Sequence, residues 1–486
     1  MQNNDQTRRN FLKVGAAAAT SFFIVPRHVL GKGFIAPSDK LNIMGIGGGG
    51  KGYSDIENSW KNGAENIVAV TDVDDRRCVD ILKKLPTNTK RYKDFRVALE
   101  AEKNNIDAVI VSTPDHTHAT IAMAAMQMGK HVYVQKPLTH DIYEARILAE
   151  AARKYKVVSQ MGNQGSSGEG VMQMQDWFDG GVIGKVNQVH VWTNRPVWPQ
   201  GIAYPTAKQD IPSELDWDLW LGPAPFREYN GAFVPFKWRG WWDYGTGALG
   251  DMACHLMDPP YRILGLGSPT EVECNVGSVF SRDWVPDYIP QGCPPSSTVQ
   301  LKFKATPKNK SDVKLTWYDG GIRPMHPEEL DPNIPMGEPD GSNGVLMMGS
   351  KGIMTCGIYG KTPKVFVKGV QVPESELPKP KIARIEGGDN GHNYHWVKAC
   401  KEGFSSAGHK ALASSFDYAG PFTETVLMGN LAIRSYMMQT AGAGNGAKYD
   451  GRKKLLWDGA NMRITNFEAA NQFVKREYRQ GWSLGV

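Results

Sequence analysis

From residue 40 onward the chain alternates short apolar runs with stretches whose apolar residues recur every three or four positions. The runs fall at 41–46, 67–70, 108–111, 131–134 and 157–158. Between them Tyr53, Ile56 and Trp60 share one helical face, as do Ile142, Ala145, Leu148, Ala152 and Tyr155. Short strands alternating with amphipathic helices predict a doubly wound parallel sheet of the α/β class over 38–165. After Gln164-Gly165-Ser166-Ser167-Gly168 the period changes. Runs at 186–191, 272–279, 299–303, 314–317, 345–348 and 364–367 read as strands, with few helices before 390. They predict an α+β domain with a large, mostly antiparallel sheet over 166–486. The Pro- and Gly-rich stretch 320–343 reads as a long surface loop.

A length of 486 residues with 41% apolar and 22% charged residues suits a globular chain of two domains. The net charge of +6 is uneven. Arg8, Arg9, Lys13, Arg27 and Lys32 face only Asp5 within 1–37, so the remainder is near +2. So small a charge calls for no nucleic-acid partner. No apolar run reaches the roughly 20 residues of a membrane span, and none is expected. The six cysteines are scattered, without zinc spacing, and no metal site is expected. His131, His140, Asp141 and Glu144 show no ligand spacing either.

Residues 1–37 read as a leader and linker. Thr7-Arg8-Arg9-Asn10-Phe11-Leu12-Lys13 precedes an apolar, Ala-rich stretch over 14–25, too short to span a bilayer. Paired arginines before a mild apolar region read as a twin-arginine signal. This predicts a periplasmic or otherwise exported protein, carried folded by the twin-arginine machinery with its cofactor already loaded.

Gly45-Ile46-Gly47-Gly48-Gly49-Gly50 has the form G-x-G-x-x-G at the end of the first strand. Gly45 would make the tight turn, Gly47 the close approach to a pyrophosphate, and Gly50 the contact of helix and strand. The second strand ends at Asp72, whose carboxylate would accept the adenosine ribose hydroxyls and repel a 2′-phosphate. This favours NAD over NADP, although Arg76 and Arg77 stand close by. The first domain is therefore expected to be a Rossmann domain that binds NAD.

Two further stretches extend the pattern: Ser112-Thr113-Pro114-Asp115-His116-Thr117-His118, and Gly129-Lys130-His131-Val132-Tyr133-Val134-Gln135-Lys136-Pro137-Leu138. With the glycine loop they resemble the glucose–fructose oxidoreductase / inositol dehydrogenase / rhizopine-catabolism (Gfo/Idh/MocA) family, in its order and spacing. The resemblance implies that Lys136 lies beside the nicotinamide and the reacting hydroxyl. In that family the residue before the lysine is usually Glu; here it is Gln135. A lysine at the carboxyl end of a parallel strand fits a ligand site better than a solvated edge. By the same resemblance Thr113, Pro114, His116 and His118 border the cofactor, although both histidines also suit loop or capping roles.

In Gly245-Thr246-Gly247-Ala248-Leu249-Gly250-Asp251-Met252-Ala253-Cys254-His255, a helix opening near Gly250 would put Asp251 and His255 on one face. The resemblance implies that His255 takes the substrate hydroxyl proton and that Asp251 touches a neighbouring hydroxyl or orients the ring. A capping aspartate and a packed histidine would look the same. Asp258-Pro259-Pro260 should end or kink this helix early. Eight tryptophans, Trp177, Trp192, Trp198, Trp217, Trp220, Trp238, Trp241 and Trp242, lie within 177–242. Each suits a core, yet as a group they suit a sugar, whose C–H faces stack on indoles. Arg195, Arg239, Asp243 and Trp242 are candidate substrate contacts. His392, at the start of a helix, is a candidate for the rim.

Together these features predict an exported NAD-dependent oxidoreductase. It would move a hydride between a ring carbinol of a sugar or glycoside and tightly bound NAD. A glycosidase working by transient oxidation at C3 and elimination is the alternative, and a non-catalytic sugar-binding protein is a third. A large open sheet face calls for a homodimer or homotetramer.

Overall fold

The structure is a computed structural model describing residues 39–485; the predicted twin-arginine leader lies outside the described residues. Six strands form the first sheet: β1 (Asn42–Ile46), β2 (Asn66–Thr71), β3 (Lys90–Tyr92), β4 (Ala108–Val111), β5 (His131–Val134) and β6 (Ser159–Met161). All pair in parallel, in the order β3-β2-β1-β4-β5-β6. Helices α1 (Lys51–Trp60), α2 (Asp75–Lys84), α3 (Phe95–Glu102), α4 (His118–Gln127) and α5 (Ile142–Lys154) connect them. Every residue of β4 is buried, because helices cover both faces of the sheet. Helix α5 starts where it does because Asp141 and Glu144 form a reciprocal capping box. The last strand falls just after the expected 157–158, since β5 pairs with β6 from Val132 opposite Ser159. Strand order reverses between β1 and β4, which opens a crevice at the carboxyl ends of the strands.

The second sheet has ten strands: β7 (Val186–Thr193), β8 (Glu271–Val276), β9 (Ser297–Phe303), β10 (Val313–Tyr318), β11 (Asn343–Gly349), β12 (Ile353–Cys356), β13 (Lys364–Val367), β14 (Val370–Gln371), β15 (Leu455–Asp458) and β16 (Arg463–Ile464). Their order is β14-β13-β12-β11-β7-β10-β9-β8-β15-β16. Strands β7 and β10 run parallel, and every other neighbouring pair is antiparallel. Along β9, buried Val299, Leu301 and Phe303 alternate with less buried neighbours, the period-two pattern of a sheet with one packed face. Between β10 and β11 the chain runs without helix or strand, as the Pro- and Gly-rich composition predicts.

Around this sheet lie α6 (Glu169–Asp179), α7 (Trp217–Leu221), α8 (Gly247–Leu256), α9 (Asp258–Ile263), α10 (His392–Glu402), α11 (Ala407–Lys410) and α12 (Phe416–Met437). Helix α12 packs on β8 and β9 on one side and on α5 on the other, so it joins the two sheets. Arg146 of α5 and Glu424 of α12 add an ion pair at 2.6 Å. Helix α8 opens at Gly247, three residues ahead of the expected Gly250, and stops at Leu256. Pro259 and Pro260 then sit in the first turn of α9, where a missing N–H costs nothing.

Candidate active site

A cleft of about 560 Å³ runs along the carboxyl ends of β1, β2, β4 and β5 and is closed by the second domain. Its floor is the glycine loop. Because β1 extends to Ile46, the loop begins two residues later than the spacing alone suggests. Gly45 lies inside β1 and outside the cleft lining; a Cβ there would stand 2.4 Å from Ile56 Cδ1 of α1. The turn is made by Gly47, at φ +89°, where a Cβ would fall 2.5 Å from the Ser112 carbonyl oxygen. The close seat of helix on loop belongs to Gly52, whose Cβ would stand 1.9 Å from the Gly47 oxygen. Gly49 and Gly50 line the cleft. The working register is thus Gly47, Gly49 and Gly52, instead of Gly45, Gly47 and Gly50.

Helix α1 opens at Gly50 with no side-chain cap, so its first N–H groups are open to a phosphate. Asp72 lines the cleft at the end of β2. Its carboxylate accepts from the Gly48 N–H at 2.8 Å and the Asp74 N–H at 3.0 Å. Burial pushes this carboxyl up, while those N–H groups and Arg91 pull it down. Arg76 is committed to Asp74, donating at 2.8 and 2.7 Å, and so is not free for a 2′-phosphate. Arg77 runs along the glycine loop. The uncapped helix, the flat glycine loop and the acid at the β2 end fit a dinucleotide with free ribose hydroxyls.

At the other end, Lys136 projects from the end of β5. Its ammonium donates to Asp251 Oδ1 at 2.8 Å and to the Asp251 carbonyl at 2.9 Å. Arg239 Nε donates to the same Oδ1 at 3.2 Å. Burial works against the charge of Asp251, but Lys136 and Arg239 hold its carboxyl well below the usual range. One helical turn further on, His255 also lines the cleft. Burial pushes its pKa well below the ordinary value, Lys136 adds to this, and Asp251 opposes it. His255 is therefore a neutral imidazole. Its Nδ1 is buried with no partner, which leaves Nε2 to reach the cleft. The Tyr359 ring stands perpendicular to it, centroids 4.7 Å apart.

The other expected residues divide. Thr113, Pro114, Arg195 and Arg239 line the cleft, as do Trp198, Trp220 and Trp238. His116 does not: its ring nitrogens lie 2.9 and 3.2 Å from the Trp220 and Tyr244 carbonyls, and burial pushes its pKa down to about 3. His118 ties the ends of β4 and β5 together, its nitrogens 2.8 Å from the Thr113 carbonyl and 2.9 Å from the Pro137 carbonyl. Both histidines serve the scaffold beneath the cleft. His392 is not at the rim. It is buried between the Ser167 hydroxyl at 2.6 Å and the Met161 carbonyl at 2.8 Å. Asp243 pairs with Arg227 at 3.0 Å, and Trp242 is buried beneath Arg434; neither lines the cleft. Trp217 and Trp241 belong to an aromatic core with Phe233 and Tyr244.

Three residues that the sequence did not single out matter here. Asp55 of α1 is fully buried and accepts from Lys51 at 2.7 Å, Ser112 at 2.8 Å, Gln135 at 2.7 Å and Asn393 at 3.3 Å. Gln135, where a carboxylate is usual in the resembled family, thus reaches a carboxylate supplied by α1. The sequence signal was an acid among the buried positions Gly52, Ile56 and Ser59 of one helix face. Asp115, buried under the cleft, accepts from the Thr246 hydroxyl at 2.7 Å and so links β4 to the start of α8. Tyr359 reaches the cleft from the turn between β12 and β13, and no local signal marks it. Among the described residues no group of His, Cys, Asp and Glu is gathered to hold a metal, and no helix is long and apolar enough to cross a membrane.

Residues 41–163 match the NAD-binding Rossmann fold model of the Gfo/Idh/MocA oxidoreductase family, and residues 181–283 match its C-terminal alpha/beta domain. The chain is 29% identical over 152 residues to an inositol 2-dehydrogenase of Salmonella typhimurium, covering 31% of this chain and 44% of that one. It is 30% identical over 185 residues to inositol 2-dehydrogenase 3 of Saccharopolyspora erythraea, covering 37% and 53%. A glycosyl hydrolase family 109 protein of Shewanella sp. is 28% identical over 201 residues, covering 37% and 44%. The chain spans about half the length of the curated relatives it matches. Among solved structures, a levoglucosan dehydrogenase in complex with NADH and L-sorbose shares the fold at TM-score 0.53 and 16% identity, over 81% of this chain and 97% of that one. GenD2 from gentamicin A biosynthesis, in complex with NAD, does so at 0.54 and 18%, over 86% and 97%.

Proposed function

We propose that the chain is a member of the Gfo/Idh/MocA oxidoreductase family, whose two domain models it matches, and that its cleft oxidises a ring carbinol of a sugar or glycoside with NAD as cofactor. One observation carries this reading. Lys136 from the nucleotide-binding sheet is hydrogen-bonded at 2.8 Å to Asp251, which shares a helix face with the neutral His255 in the same cleft as the glycine loop. NAD, when bound, supplies the acceptor for the carbinol hydrogen and its electron pair. The N-terminus of α1 and the loop at Gly47 and Gly49 would hold its diphosphate, and Asp72 its ribose hydroxyls. Lys136 donates to the reacting oxygen and fixes its position. His255, neutral before the reaction, accepts the hydroxyl proton at Nε2. Asp251, one turn earlier, stabilises the imidazolium that results. Trp198 and Trp238 supply apolar faces for the ring.

Export with NAD already bound is part of the proposal and rests on Arg8 and Arg9 ahead of the apolar stretch. Replacing both by lysine should hold the protein in the cytoplasm. A redox-neutral glycosidase is the second reading, supported by the likeness to family 109 proteins. The test uses protein purified without added nicotinamide, mixed with a panel of glycosides. A rise of the reduced-nicotinamide absorbance to about one equivalent per subunit supports the oxidoreductase. Free sugar released with no net rise supports the glycosidase. The His255→Ala variant should keep its nucleotide and lose either activity; unimpaired turnover by it sinks both readings.

A further inference from the structure

The charges at the reaction end of the cleft do not balance. Lys51, Lys136, Arg195 and Arg239 line it. Asp251 holds Lys136 and Arg239, and the buried Asp55 holds Lys51 at 2.7 Å. With Asp115 counted as ionised, four cations meet three carboxylates, and the cation left over is Arg195. Among the described residues no carboxylate lies within ion-pair distance of it; its guanidinium donates to the neutral side-chain carbonyl of Asn194. The oxidised nicotinamide ring would add another positive charge. A half-buried guanidinium without an anion is unfavourable, and a ligand can relieve it by bringing one.

Arg195 is held as a binding group would be. It follows β7 directly. Its N–H donates to the Thr193 hydroxyl at 3.3 Å, and its carbonyl accepts from the Gly320 N–H at 2.7 Å. Tyr359 enters from the turn after β12, at the same end of the sheet as the end of β7, with φ +61°, a conformation a tyrosine rarely adopts. Glycines make room for its turn: a Cβ on Gly165 would lie 2.8 Å from Tyr359 Cα, and one on Gly170 would lie 2.1 Å from the Gly360 oxygen. The Tyr359 hydroxyl has no hydrogen bond within the described residues. Burial and the nearby Asp251 raise its pKa, so it stays a donor, and it lies in the fields of Lys51, Lys361 and Arg195. A guanidinium without an anion and a hydroxyl donor without an acceptor, each on a fixed stretch of backbone, suit a planar or tetrahedral anion.

We propose that Arg195 and the Tyr359 hydroxyl bind an anionic substituent on the sugar, a carboxylate or a phosphate ester, and that the substrate class is acidic sugars or glycosides. This rests on the sugar reading of the same cleft. The test is calorimetric titration of the full-length protein, saturated with NAD, against three matched pairs. These are methyl glucuronide and methyl glucoside, methyl galacturonide and methyl galactoside, and glucose 6-phosphate and glucose. The acidic member of at least one pair should bind tenfold or more tightly than its neutral partner, with an advantage that shrinks in salt. The carboxylate and phosphate pairs tell the two anions apart. Arg195→Gln should bring the ratio within about twofold, Arg195→Lys should keep part of it, and Tyr359→Phe should reduce it while the ring stays on His255. Unchanged melting temperatures establish that the variants are folded. Equal binding within every pair, no binding by any of the six, or a preference that survives Arg195→Gln overturns the proposal. The reduced-nicotinamide band is read separately. An acidic preference without the band sinks the oxidoreductase reading alone, and a band with neutral sugars only sinks the anion site alone.

Discussion

Replacing Gly52 by alanine tests how the glycine loop is built. The new Cβ would stand 1.9 Å from the Gly47 carbonyl oxygen, with the Gly47 carbonyl carbon at 2.9 Å. That is more than about 1 Å inside an ordinary contact, and both obstacles are backbone. The start of α1 and the Gly47 turn must therefore separate by about 1 Å. Hydrogen bonds from backbone N–H to a charged phosphate contribute about 1.5–3 kcal/mol each and do not survive such a stretch. Loss of two corresponds to at least about 100-fold in nucleotide affinity. Overpacking should also cost about 1–3 kcal/mol of stability. Gly45→Ala is the control. Its Cβ would meet Ile56 Cδ1 at 2.4 Å, the far end of a side chain. It should cost similar stability while leaving affinity within about fivefold. Both are read by calorimetric titration with NAD and by urea unfolding. If Gly52→Ala binds NAD normally while Gly45→Ala does not, the register based on Gly47, Gly49 and Gly52 is wrong.

Asp251→Asn leaves Lys136 and Arg239 without their shared carboxylate and should cost about 3–5 kcal/mol. The double variant with Lys136→Met should be less destabilised than the two single losses combined; strict additivity in urea unfolding contradicts the pairing. Asp55→Leu strands the Ser112, Gln135 and Asn393 donors and should cost at least about 3 kcal/mol. A loss under about 1 kcal/mol shows that these bonds do not hold α1 to the sheet. Burial lowers His116 to about 3 and His392 to about 4. As pH falls below about 6.5, the unfolded chain takes up a proton at each and the folded chain does not, so stability drops. From pH 7.5 to 5 the cost is about 2 kcal/mol per histidine, with little change above pH 7. Replacing His392 by asparagine should cost about 2 kcal/mol less at pH 5 than at pH 7.5 in urea unfolding; an equal cost at both pH values would contradict this.

What the sequence by itself determined was local. The apolar runs, the helix period and the glycine-rich end of β1 follow from neighbours a few residues apart, and they place the parallel sheet, its crevice and the long loop after β10. Asp251 and His255 on one face follow from the helix period as well. The glycine register was off by two, because strand length depends on pairing with β2 and β4, which the run of glycines does not reveal. Tertiary structure decided every contact between distant residues. Lys136 meets Asp251 across 115 positions, and Asn393 reaches Asp55 across 338. His116 and His392 have the composition of site residues, but their ring nitrogens are spent on buried carbonyls and a hydroxyl, a fact of packing and not of spacing. Tyr359 carried no local signal at all, since a single tyrosine in a turn acquires meaning only when Gly165 and Gly170 elsewhere let that turn press against His255. Secondary structure follows from short-range sterics and hydrogen bonding. A site's charge balance is a sum over groups gathered from the whole chain, and the unpaired Arg195 becomes visible only once they are gathered.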